Sequence, residues 1–168
     1  MILLKMAFQN ISPEEAFSKI KHYCAYQERS HGEVKNKLYL LGVCKENSDQ
    51  IIADLITENY LNEERFAANF AGGKFRIRQW GKNKITQSLR MKQVSDPNIK
   101  KALKEIDEAE YLTTFRKLAE KKMETLSGER NILVKKRKLR NFLLQRGYEI
   151  NYITEEVQKI GRKVPARH

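Results

Sequence analysis

Two cysteines, three histidines, three prolines and one tryptophan in 168 residues exclude several kinds of protein at once. Two thiols in a chain of this length make no disulfide framework, so the reducing cytoplasm is the expected home. Cys24 falls on the apolar face of a helix and is expected as a small core residue, while Cys44 follows a helix stop. His22, His31 and His168 are scattered, and no C-x-x-C or H-x-x-x-H pair is available to hold zinc. A phosphate-binding P-loop is missing too: Gly73-Lys74 is followed by Phe75, and position 68 is alanine. The carboxylates stand mostly in helix first turns, with Asp49 and Asp96 read as caps, and no cluster of them converges as a two-metal nuclease requires. Met1 to Leu4 is too short for a signal peptide, and no run approaches the ~18 apolar residues that span a bilayer. A cytoplasmic protein with no catalytic residues, no cofactor, no metal and no membrane partner is expected.

Acidic residues are also missing from two long stretches. None occurs from Phe66 to Ser95, where Lys74, Arg76, Arg78, Lys82, Lys84, Arg90 and Lys92 supply seven positive charges. None occurs from Asn131 to Tyr148, which carries Lys135, Lys136, Arg137, Lys138, Arg140 and Arg146. With a formal charge of +12 and a pI near 9.7, such segregation favours polyanions, because the summed field steers them in and counterion release rewards phosphate contact. The seven residues of the first run and Lys135 to Lys138 with Arg140 in the second are the candidate nucleic-acid contacts. Lys74, Arg78 and Lys82 form a stripe beside an apolar line of Phe66, Phe70, Gly73 and Ile77, spaced as one helix face. Trp80 is expected to pack in the core rather than stack on a base.

Helical signals fill the rest. Ser12-Pro13-Glu14-Glu15 opens a first helix with a capping serine and proline at its first position, and Ser30-His31-Gly32-Glu33 opens a second as a capping box that Gly42 stops. A third helix follows Ser48 or Asp49. Val34, Leu38, Gly42 and Val43 then align with Ile85, Leu89, Gln93 and Val94, and again with Leu139, Leu143, Gly147 and Tyr148. The expected fold is therefore all-α: an elongated, curved array of three tandem three-helix repeats with a period of about fifty residues. The boundaries read as an N-terminal extension at 1–11, repeats at 12–61, 62–107 and 108–161, and a basic tail at 162–168. Gln93, standing where the other repeats have glycine, suggests a different turn there. Gly81 is expected to supply freedom of φ between two helices.

The stretch Leu61-Asn62-Glu63-Glu64-Arg65-Phe66-Ala67, with Arg76, Gly81 and the helix from Ile85 to Leu89, resembles the central motif of the RecX family, bacterial regulators of the RecA recombinase. Arg29-Ser30-His31-Gly32-Glu33-Val34, Lys37-Leu38 and Gly42 resemble the family's first repeat. Asn62 is explained physically as a helix cap and Arg65 as an ion-pair partner on the helix surface. The third repeat lacks the LN-x-x-RFA signature. The resemblance implies a non-catalytic modulator of homologous recombination and DNA repair in the SOS response. Such a protein binds the RecA–DNA filament, suppresses its ATP hydrolysis and strand exchange, and contacts single- and double-stranded DNA without sequence preference as a monomer. A sequence-specific regulator built from helix-turn-helix units is the alternative, against which stand its short third helices and their Glu105, Asp107, Glu155 and Glu156.

Overall fold

A computed structural model describes residues 11–161, so the expected N-terminal extension, apart from Ile11, and the tail at 162–168 lie outside the described residues. Within them the chain forms nine helices and no strand: α1 (Pro13–Tyr26), α2 (His31–Leu40), α3 (Lys45–Thr57), α4 (Glu63–Arg78), α5 (Lys82–Met91), α6 (Asp96–Lys104), α7 (Glu108–Thr125), α8 (Ile132–Arg146) and α9 (Ile150–Lys159). This is an all-α repeat fold.

Side-chain chemistry sets most of the helix starts. Ser12 Oγ accepts from the Glu15 N–H at 3.2 Å, and Ser30 and Glu33 exchange hydrogen bonds of 3.1 and 3.0 Å as a complete capping box. Asn62 Oδ1 accepts from the Arg65 N–H at 2.9 Å, and Asp107 and Asn131 cap α7 and α8 in the same way. Each cap satisfies a backbone donor that the helix leaves open, worth ~1 kcal/mol. Two starts differ from the sequence reading. Helix α3 begins at Lys45, with Cys44 in the capping place and no side-chain bond, because the Ser48 N–H already reaches the Cys44 carbonyl and lies inside the first turn. Asp96 is likewise the first residue of α6 rather than its cap; the Ser95 carbonyl receives the Ile99 N–H, and the Asp96 carboxylate turns to Arg90 at 3.0 Å.

The stops are left-handed. Gly42, Gln93 and Gly147, equivalent in the three repeats, have φ of 75°, 61° and 87°. Gln93 thus makes the same turn as the glycines instead of a different one, accepting the ~1–2 kcal/mol that an L-residue pays there. Gly81 corrects another expectation, since it is absent from the positive-φ residues. A Cβ on Gly81 would lie 2.3 Å from the Gly147 carbonyl group, and one on Gly147 would lie 2.2 Å from Lys84 Cβ. Close backbone approach is what both positions require. It lets the Gly81 N–H donate to the Arg146 carbonyl at 2.8 Å and the Asn83 N–H to the Gly147 carbonyl at 3.0 Å.

The described residues pack as two compact units. Those up to Phe70, with Leu89–Ala102, form the first; Ala71–Ser88, with those from Leu103 onward, form the second. In the first unit, Ala16, Ile20, Cys24, Val34, Leu38, Ile51, Ile52, Leu55 and Leu61 make a continuous core. Cys24 is buried there as expected, and burial pushes its thiol up to about 11, so it is protonated and inert. In the second unit the centre is aromatic: ring centroids of Phe75 and Tyr111 lie 5.6 Å apart, Tyr111 and Tyr148 5.3 Å, Phe115 and Tyr148 5.1 Å.

Tyr111 links this centre to two helix starts. Its hydroxyl accepts from the Lys82 N–H at 2.9 Å and donates to Glu149 Oε2 at 2.5 Å, and burial followed by the Glu149 hydrogen bond raises its pKa far above the ordinary tyrosine value. Tyr111→Phe strands the α5 amide and the carboxylate that precedes α9. It is expected to cost ~1–3 kcal/mol, read as a lower urea midpoint followed by tryptophan fluorescence.

The buried face of α4 is not the expected one. Phe66, Ala67, Ala71 and Phe75 are buried, whereas Ile77 is 79% exposed and Gly73 faces open space. Small alanines at i and i+4 let neighbouring elements approach closely, and that line leads to Phe75 rather than Ile77.

Candidate nucleic-acid interface

Charge divides unevenly between the units. Among the described residues the first unit carries eleven Lys and Arg against eleven Asp and Glu, and the second carries eighteen against ten. The local surplus of positive charge therefore belongs to the second unit alone.

Of the candidate residues, Arg90 and Lys92 fall in the balanced first unit, and both meet a carboxylate. Arg90 Nε lies 3.0 Å from Asp96, and Lys92 Nζ lies 2.6 Å from Glu33, beside the Phe66 and Phe70 rings. Burial opposes ionisation of Glu33, but hydrogen bonds from Lys92 and the Ser30 N–H outweigh it and hold the carboxyl below its ordinary value. In the second unit Lys82 Nζ pairs with Glu108 at 2.5 Å, and Lys138 Nζ with Glu129 at 3.1 Å. Hydrogen bonds from Lys82 and Tyr152 keep Glu108 below the usual carboxylate range, and the Asn131 N–H and Lys138 do the same for Glu129. Arg90, Lys92, Lys82 and Lys138 thus have intramolecular counter-charges. Arg76 and Arg78 are exposed at the end of α4, Arg76 lying back over Gly72, and Arg137 and Arg140 are exposed on α8. Lys135 and Lys136 are half-buried on that helix.

The two acid-free runs meet at the turn between α4 and α5. Arg146 Nη1 donates to the Arg78 carbonyl at 2.9 Å, and Lys84 Nζ donates to the Gln145 carbonyl at 3.1 Å. The Tyr148 hydroxyl, its pKa raised by burial, donates to the Gln79 carbonyl at 3.2 Å and holds the left-handed stop of α4. Trp80 follows that stop and is half-buried rather than part of the core. The ammonium groups of Lys84 and Lys74 lie 4.7 and 5.2 Å from its ring centroid. Arg146 of α8 and Lys122 of α7 lie 5.3 and 5.4 Å from the ring of Phe142 on α8. Lys135 to Arg140 sit further back along α8, roughly 9–17 Å from Arg146 at 1.5 Å per residue.

Sequence reading did not place Lys122, Phe142 and Arg146 among the contacts. Arg146 stood in the second basic run and Phe142 precedes it by one turn, a spacing that marks one helix face. Lys122 stands among glutamates on α7, and nothing in its sequence surroundings distinguishes it.

Elsewhere the motif residues are structural. Arg65 Nε meets Glu28 at 2.5 Å, and its Nη atoms reach the Asn59 side chain and carbonyl at 3.0 Å. Glu63 accepts from Ser95 and Asn98 at 2.5 Å, while its equivalent in the next repeat, Glu108, accepts from Tyr152 at 2.8 Å. A first-turn glutamate thus ties the first helix of each of these repeats to its third. Among the described residues no group of three or more His, Cys, Asp and Glu is placed to hold a metal, and no helix is long and apolar enough to cross a membrane.

Comparison with known proteins bears on the repeats directly. The profile of the RecX second three-helix domain matches residues 62–103, and that of the third three-helix domain matches residues 108–155. A regulatory protein RecX of Clostridium perfringens is 30% identical over 159 residues, spanning 92% of this chain and 74% of that protein. The chain belongs to the RecX family. The regulatory protein RecX of Prosthecochloris aestuarii is 29% identical over 146 residues, covering 87% of this chain and 93% of its own. The fold is shared with the crystal structure of RecX from Lactobacillus salivarius, with a TM-score of 0.79 at 23% identity over 88% of this chain and 96% of that one. In this RecX-family chain the second profile spans α4 and α5, which bear the first basic run, and the third takes in α8, which bears the second.

Proposed function

We propose that this RecX-family chain is a non-catalytic cytoplasmic modulator of the RecA recombinase. It binds the RecA–DNA filament, lowers its ATP hydrolysis and strand exchange, and meets DNA phosphate through its second unit without sequence preference. The observation that carries this reading is the charge division, eighteen cations against ten carboxylates in that unit and parity in the other. A patch of this kind attracts a polyanion from a distance and gains free energy by displacing its counterions. ATP and magnesium belong to the recombinase in this scheme. The identity of the partner follows from membership of the family rather than from the charge.

Charge reversal tests it. Replacing Arg78, Arg137 and Arg140 by glutamate is expected to weaken DNA binding at least tenfold and to relieve inhibition of RecA, with helical circular dichroism unchanged. Reversing Lys35, Lys37 and Lys45, exposed in the first unit, is expected to change neither by more than about twofold. Equal losses from the two triples would remove the assignment to the second unit.

A further inference from the structure

The cluster at the turn after α4 has a feature that attraction to phosphate does not use: two aromatic rings share it with four cations. A cleft of about 330 Å³ is lined by Trp80, Lys84, Phe142, Gln145 and Arg146, and no carboxylate lines it. By contrast, the cleft below α5 has Asp107 and Glu108 in its wall, and the one between α1 and α3 has Glu14 and Asp54. Duplex phosphate needs cations but no exposed ring faces, since its bases are stacked away inside the helix. An unpaired nucleotide needs both, a flat apolar surface for the base and positive charge for the phosphates on either side.

Resting on the proposed reading of the second unit as a DNA-binding surface, we infer that this cleft is a stacking site for an unpaired base of single-stranded nucleic acid. Trp80 supplies the face for the base, with Phe142 as the opposite wall, and Lys84 and Arg146 hold the flanking phosphates. In the free protein Lys74 and Lys84 lie against the indole. A base can take the place of these ammonium groups on the ring, and each displaced lysine, on a flexible four-carbon stem, finds a phosphate within its reach. The floor of the site is closely packed. Gly81 and Gly147 abut backbone to backbone, Arg146 is tethered to the Arg78 carbonyl, and Tyr148 fixes Gln79 directly before Trp80.

The chain contains a single tryptophan, so its intrinsic fluorescence reports on this site alone. The full chain is titrated at low salt with an oligothymidylate of about ten nucleotides, with an abasic strand of the same length and charge, and with a duplex. The oligothymidylate is expected to quench the tryptophan and to bind about 5- to 150-fold more tightly than the abasic strand. Trp80→Ala, followed by anisotropy of a labelled strand, is expected to remove that preference and leave abasic and duplex binding within about twofold. Equal affinity and equal quenching by oligothymidylate and abasic strand, both still falling with salt, would overturn the stacking site and leave the phosphate-binding surface standing. Failure of all three ligands to bind at low salt would overturn both.

Discussion

Affinity for DNA is expected to fall about 10³-fold as salt rises from 50 to 200 mM. The estimate follows from about six phosphate contacts, each releasing close to one condensed counterion, which gives a slope of log affinity on log salt near −5. Lys82, Lys138, Arg90 and Lys92 meet carboxylates, and six is the number taken for simultaneous contacts from the other eight candidates. Had all twelve candidates engaged phosphate, the slope would be roughly twice as steep. The measurement thus distinguishes a surface with internal counter-charges from one without. Anisotropy of a labelled duplex across that salt range supplies it, and a flat response would remove phosphate contact from the mechanism.

Phe75→Ala is expected to cost ~3–5 kcal/mol of stability, a large part of what a domain of ordinary stability possesses. Phe75 is 2% exposed, its ring packs 5.6 Å from that of Tyr111, and Tyr111 in turn holds the start of α5. The cavity would open within the aromatic centre of the second unit. Ile77→Ala, two residues on, is expected to change stability by less than about 0.5 kcal/mol because that side chain is 79% exposed. The pair decides between the observed buried face of α4 and the one that the Phe66, Phe70, Gly73, Ile77 spacing suggests. Urea denaturation followed by Trp80 fluorescence reads both, and a large loss from Ile77→Ala with none from Phe75→Ala would reverse the assignment.

Much of the fold was legible because its signals are local. The caps at Ser12, Ser30 and Asn62 act within three residues, and the recurrence of Val34, Leu38, Gly42 in later repeats survives as spacing alone. The family resemblance followed from the Leu61 to Ala67 stretch for the same reason. What escaped was set by partners distant in sequence. The face of α4 depends on which side its alanines let other elements approach, and apolar periodicity admits two lines one step apart on the helix. Gly81 looked like a turn glycine, yet its requirement comes from Gly147, brought alongside by the fold. Charge patterning located both basic runs but not their counter-charges. Glu33, which meets Lys92, stands 59 residues upstream. Nor does spacing reveal that Phe142 and Trp80 line one cleft.

The most direct measurement is ATP hydrolysis by purified RecA on single-stranded DNA, with this chain and with its Arg78, Arg137 and Arg140 to glutamate variant. Suppression by the parent chain, with at least tenfold more of the folded variant needed for the same effect, is the expected result. Undiminished hydrolysis with the parent chain, or equal suppression by the variant, would contradict a RecA modulator that works through the basic surface of its second unit.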